Sequence, residues 1–155
     1  MTALTFVYDD GGRAAAGYKG PADDCACRAI AIAAGMPYQE VYDALNVLGQ
    51  AERLGRRRKS KSSARTGVHK PAIRRYMAAI GWTWTPLMFP GQGCAVHLAD
   101  GELPPGRLVV SVSRHTVAVI DGIIRDTFDP SRAGTRCVYG YFTGPASPPR
   151  KDTTS

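Results

Sequence analysis

The chain has no run of about twenty apolar residues, so nothing in it is long enough to cross a membrane as a helix. Its start, MTALTFVYDDGG, has neither a basic opening nor an apolar stretch leading to a cleavage site; no secretion signal, no membrane partner and a cytoplasmic setting are therefore expected. Cysteine is sparse: Cys25, Cys27, Cys94 and Cys137. They could form two disulfides, but a cytosolic chain of 155 residues buries enough core not to need them, and four free thiols are expected. Cys25-x-Cys27 is tighter than the usual zinc spacing of about two to four intervening residues, and no second close pair exists. A zinc site on the four thiols with His97 as a spare ligand is thus a poor match, and no metal or cofactor is expected. There is no internal repeat.

Acidic residues are missing from one stretch in particular. RLGRRRKSKSSAR carries Arg53, Arg56, Arg57, Arg58, Lys59, Lys61 and Arg65 with no Asp or Glu. Without those seven, the thirteen remaining Lys and Arg balance the thirteen Asp and Glu, so the formal charge of +7 belongs to a single loop. Rich in Ser and Gly as well, residues 53–66 are expected to form a mobile, solvated connection. Salt-sensitive contact between 53–65 and nucleic acid or an acidic protein is conceivable, but the loop offers no aromatic ring for base stacking.

What is present is organised around Ala22–Gly35, ADDCACRAIAIAAG. Asp23 or Asp24 suits the helix N-cap and Gly35 the residue just past the end, giving about three turns. Between them only Arg28 is polar, so this helix is expected to be buried on most sides. Cys25 stands in its first turn, where the positive end of the helix dipole favours thiolate. On these residues alone, Cys25 and Cys27 read equally well as small buried hydrophobes.

Ahead of this helix, TFVY reads as a short strand and DDGGRAAAGYKGPA as irregular. After it, PYQEVYDALNVLG places Val41, Leu45 and Leu48 at helical spacing, and HKPAIRRYMAAIGW does the same with Ile73, Met77 and Ile80. From Trp82 onward WTWTPLM, CAVHL, RLVVSVS, HTVAVID, IIRDTF and RCVYGYF read as strands. Helices followed by strands predict one α+β domain over 1–143 with a mostly antiparallel sheet, followed by a disordered tail at 144–155.

Asp121-Gly122 between apolar runs is the signal for a two-residue hairpin, in which Ile120 faces Ile123 and Val117 faces Asp126. Alternation then puts His115 and Asp126 on one face as diagonal neighbours, whereas Asp129 has the opposite parity. Thiol catalysis needs a nucleophile of low pKa, a base beside it and a group orienting that base; Cys25, His115 and Asp126 are the candidates. A purely structural His–Asp pair would satisfy the hairpin as well.

The order of these features resembles the papain-like cysteine peptidase fold. DDCACRAIAIAAG matches the D-C-x-x-R-A helix start of small papain-like proteins encoded by bacteriophages and bacteria. GRLVVSVSRHTVAVIDGIIRDTFDPSRAGTRCVYGY resembles their C-terminal half. The resemblance implies Cys25 as nucleophile, His115 as base and Asp126 as orienting residue, acting on a protein or peptide substrate, in the host cytoplasm if the chain is phage-encoded. Cys27 points away on the helix. Where papain-type enzymes carry an oxyanion-hole glutamine, six residues before the cysteine, this chain has Lys19, the remaining oxyanion candidate. Hydrolysis of a peptide or isopeptide bond is the first expectation. Deamidation or transfer to an amine would use the same residues, and a non-catalytic papain-like scaffold binding an acidic partner or nucleic acid through its basic loop is the alternative. His69 and His97 read as ordinary residues, and Trp82, Trp84 and Tyr141 as packing.

Overall fold

The computed structural model describes residues 4–55 and 60–145. Three helices precede most of a six-stranded mixed sheet, which makes the chain α+β. The helices are α1 (Cys25–Ala34), α2 (Tyr38–Gln50) and α3 (Lys70–Ala79). The strands are β1 (Thr5–Tyr8), β2 (Thr83–Pro86), β3 (Arg107–Val112), β4 (His115–Ile120), β5 (Ile123–Asp126) and β6 (Val138–Thr143), in the spatial order β1-β5-β4-β3-β6-β2. β1 runs parallel to β5, and every other neighbouring pair is antiparallel.

The alternating strands of the sheet feed two cores. On one face Val109, Ala118 and Phe142 pack with α1, α2 and α3 around Ile30, Val41, Leu45 and Met77. On the other, Leu108, Val110, Val117, Val119 and Ile124 pack with Leu98 and Val138. Leu87, Val96 and Leu103, from the long connection between β2 and β3, cover that second core. This connection holds the segment CAVHL, which joins the sheet only through a single bridge between His97 and Cys137 rather than as a strand. Backbone bonds from Leu98 N–H to Arg136 and from Val138 N–H to Val96 set the two segments side by side. That alignment brings Cys94 and Cys137 together as a disulfide with 5.9 Å between their Cα atoms, so the expectation of four free thiols is corrected to two, Cys25 and Cys27.

α1 ends as its sequence predicts. Gly35 adopts φ 67°, and its N–H and that of Met36 return to the carbonyls of Ile32 and Ala31. Its start differs from expectation. Asp24 occupies the N-cap position but makes no side-chain capping bond, because its carboxylate is taken by other partners described below. The hairpin forms as predicted, with Asp121 and Gly122 both at positive φ and the register Ile120–Ile123, Val119–Ile124 and Ala118–Arg125.

The basic segment is only partly described, since 56–59 lie outside the described residues, as do 146–155 of the expected tail. Residues 53–55, 60, 61 and 66 are exposed, whereas 62–65 are drawn into the fold. Ser62 and Ala64 are buried; Ser62 is bound to Glu52, and the Ala64 N–H donates to Asn46. Arg65 reaches the carbonyls of Lys19 and Pro21. Packing against α2 supplies the order that the composition does not. Among the described residues no helix is long and apolar enough to cross a membrane.

Gly49 shows how close that packing is. A Cβ at this position would lie 2.0 Å from the carbonyl oxygen of Ser62. Alanine would gain at most about 1 kcal/mol of helix propensity, whereas forcing an atom into a filled site costs roughly 1–3 kcal/mol and sometimes more. Gly49→Ala is therefore expected to lower the urea midpoint of unfolding; an unchanged or raised midpoint would contradict this packing.

Candidate active site

The site lies where the start of α1 meets the ends of β4 and β5. Ala118 and Ile120 of β4 face the helices, and Val117 and Val119 face the second core. His115 has the parity of Val117 and Asp126 that of Ile124, so alternation alone would turn both away from α1. They occupy the first and last positions of their strands, however, and there the pair closes the end of the sheet onto the helix start. The His115 Nε2 lies 2.6 Å from Asp126 Oδ2. The His115 imidazole and the backbone N–H of Thr116 stand close enough to the Cys25 thiol to favour its ionised form. With Nε2 engaged by Asp126, Nδ1 is the nitrogen left for sulfur. Cys25, His115 and Asp126, separated by up to about a hundred residues along the chain, are thus brought together.

Asp126 is fixed from several sides. Its Oδ1 accepts from Arg28 Nη2 at 3.1 Å and from its neighbour Thr127 N–H at 2.7 Å. Its backbone carbonyl accepts from Asp9 N–H at the end of β1. Arg28, one turn into α1, donates from its other nitrogen to Asp24 Oδ1. Asp24 Oδ2 in turn accepts from the Tyr38 hydroxyl at 2.6 Å and lies 3.3 Å from Arg13 Nε. Arg13 is carried by a turn held by Asp10, whose carboxylate accepts from Gly12 and Ala14 N–H. Asp24, Arg28 and Asp126 are all buried. Opposite charges therefore alternate from Arg13 through Asp24, Arg28 and Asp126 to His115, and a neighbour of opposite sign is what makes buried charge tolerable.

The proton affinities follow from this chain. Burial of Cys25 opposes the thiolate, but the hydrogen bond to His115, the positive imidazolium, the Thr116 N–H and Arg28 outweigh it, and the thiol pKa falls below its ordinary 9.0. Burial likewise opposes the imidazolium, yet the bonds to Asp126 and Cys25 raise His115 from 6.5 to about 9. For Asp126, burial is overcome by the bond and charge of His115, the Thr127 N–H and Arg28, so it stays ionised well into acid. Both shifts favour a thiolate–imidazolium pair over the neutral thiol and imidazole. Cys27 behaves oppositely: wholly buried, with its thiol against the Tyr38 carbonyl, it is pushed up to about 12 by burial and by Asp24.

The Cys25 thiol opens into a cleft of about 620 Å³ whose lining includes His115, Trp84, Phe142 and Phe128. The Phe128 ring stands 5.1 Å from the imidazole and is half exposed, shielding it from solvent on one side. Lys19 does not reach this cleft; its side chain is exposed and absent from the lining, which corrects its reading as an oxyanion donor. The segment before α1 is anchored instead through its backbone, by Arg65. Asp129 points elsewhere and accepts from Ser131 N–H. His97 pairs with Glu102, and His69 with the Ser60 carbonyl, both outside the cleft. The cysteines fall in two groups, Cys25 and Cys27 at the start of α1 and the bonded pair Cys94–Cys137. Trp84 packs on Phe142, and Trp82 and Tyr141 pack against the two cores.

Sequence reasoning singled out Arg28 as the one polar residue of α1 but not its role. The signal was available: a guanidinium on an otherwise apolar helix must find carboxylates, and Asp24 stands one turn before it. Comparison of the chain with protein-family models, with curated proteins and with solved structures returned no match.

A raised histidine pKa contributes stability in full below its ordinary value, and that contribution is lost as pH rises through the folded value. For His115 the window of loss runs from 6.5 up to about 9. An NMR titration of the imidazole is expected to give a midpoint near 9. In Asp126→Asn the midpoint should drop, because burial then works against a weaker counter-charge. A wild-type midpoint near the ordinary value of 6.5 would contradict the coupling.

Proposed function

We propose that the chain is a papain-like cysteine acyl-transfer enzyme that hydrolyses peptide or isopeptide bonds, with Cys25 as nucleophile, His115 as acid and base, and Asp126 as the group that orients the imidazole. One observation carries this reading: a thiol that shares an open cleft with an imidazole held by a buried carboxylate. A merely structural His–Asp pair would need neither the cleft nor a thiol lowered in pKa beside an inert second one.

In the mechanism the Cys25 thiolate attacks the carbonyl carbon, and the carbonyl π electrons move onto oxygen. The helix start is suited to receive that oxyanion. The first N–H groups of a helix have no intrahelical acceptor, and Asp24 leaves them uncapped because Arg28 and Tyr38 hold its carboxylate. The Cys25 N–H, with the positive end of α1 behind it, is the donor assigned here. Protonated His115 then gives its proton to the leaving nitrogen, the C–N bond breaks, and a thioester remains. Water gives a proton to His115 as it attacks the thioester, and departure of the thiolate restores the starting pair. An amine replacing water in this last step would give transamidation, and ammonia as the leaving group would make the reaction a deamidation.

Alkylation with iodoacetamide near neutral pH, followed by peptide mapping, tests the assignment. Cys25 should be modified at least about a hundredfold faster than Cys27, and His115→Ala should slow it by a similar factor, within the range of about 10²–10⁴ associated with a positioned base. An unmodified Cys25, or a rate indifferent to His115→Ala, would overturn the proposal.

A further inference from the structure

Resting on the acyl-transfer reading above, we infer that the cleft selects an acidic peptide, one in which a carboxylate side chain lies next to the scissile bond with an apolar residue beside it. The argument comes from the charges on the cleft walls. Lys70 and Arg74 stand one turn apart on α3, both exposed, and both line the cleft. Arg114 lines it from the β3–β4 turn, immediately before His115. Among the described residues none of these three forms an ion pair, whereas Arg13, Arg28 and Arg125 each do. The Lys70 ammonium is instead held 4.9 Å above the Tyr139 ring, which steadies it at the wall without neutralising it.

The carboxylates of the cleft do not cancel this charge. Of the two acids in the lining, Asp24 is buried and engaged in the chain that ends at His115, which leaves Asp23 as the exposed one. Three free cations against one acid make a positive mouth, and low-dielectric walls focus such a field on an approaching anion. Below the cations Ile73, Trp84 and Phe142 form an apolar floor.

Arg114 adds a separate observation. It adopts φ 57°, a left-handed conformation that a residue with a Cβ rarely takes. In this two-residue turn glycine or asparagine would hold that conformation more easily. The turn instead carries an arginine in the lining of the cleft, one residue before His115. This basic surface is distinct from the basic run at 53–65, none of whose described residues lines the cleft.

The test compares three affinity labels differing in one side chain, the chloromethyl ketones of Ala-Leu-Glu, Ala-Leu-Gln and Ala-Leu-Lys, by their second-order rates of Cys25 alkylation. The glutamate label should react about tenfold faster than the glutamine label and faster still than the lysine label, a spread within the range of electrostatic steering. Added salt should compress it. In Lys70→Glu/Arg74→Glu the order should invert, and because the comparison is made within one protein, partial loss of folded material does not mimic the inversion. Three equal rates, with Cys25 still open to iodoacetamide, would overturn this inference and leave the proposed function standing. A Cys25 inert to iodoacetamide and to all three labels would overturn both. Protection of Cys25 by a single-stranded oligonucleotide but not by an acidic peptide would overturn it in favour of nucleic acid.

Discussion

The arrangement depends on Arg28, a guanidinium enclosed between two buried carboxylates, Asp24 on its own helix and Asp126 on β5. A buried arginine without both would be an uncompensated charge, and removing one member of such a cluster costs about 3–5 kcal/mol. The planar fork of arginine suits the bridging role, since it offers separate nitrogens to two acceptors where lysine offers a single point charge. Through this one side chain the helix that carries Cys25 is tied to the strand that carries Asp126. The relative position of Cys25 and His115 is therefore set by a short, directional connection rather than by apolar contact alone.

The same cluster governs protonation. With Cys25 as thiolate and His115 protonated, Arg13, Arg28 and His115 face Asp24, Asp126 and Cys25, and cations and anions balance. Returning the proton from imidazole to sulfur removes one charge of each sign and leaves the balance intact. A proton can thus move within the site without stranding net charge in the interior, as the acid and base roles proposed for His115 require. Asp24 also matters through what it does not do: turned toward Arg28 and Tyr38, it leaves the helix start open toward the cleft.

Much of this was legible in the sequence for physical reasons that hold locally. The apolar run between Asp24 and Gly35, the helical stripes of Val41–Leu45 and Ile73–Met77, and the Asp121-Gly122 turn each specify their own conformation, and the turn fixes the register that makes His115 and Asp126 diagonal neighbours. What was not legible depends on distant partners. Alternation showed that the imidazole and the acid share a face but not that the strand ends bring them to α1. The disulfide between Cys94 and Cys137 follows from a backbone bridge between two irregular segments. Ser62 and Ala64 look solvated by composition and are buried because α2 presents Gly49 and Asn46 to them. Lys19 was placed by sequence offset alone, and an irregular segment rich in glycine does not preserve a side chain's direction over six residues.

The central claim is that this buried chain of charges favours the thiolate of Cys25 over its thiol. Its most direct test is the ultraviolet absorbance of the thiolate followed against pH, with the signal assigned by its loss in Cys25→Ser. The account predicts a midpoint below the ordinary thiol value of 9.0, moving upward in Arg28→Gln. A Cys25 midpoint at or above 9.0 in the unaltered protein would contradict it.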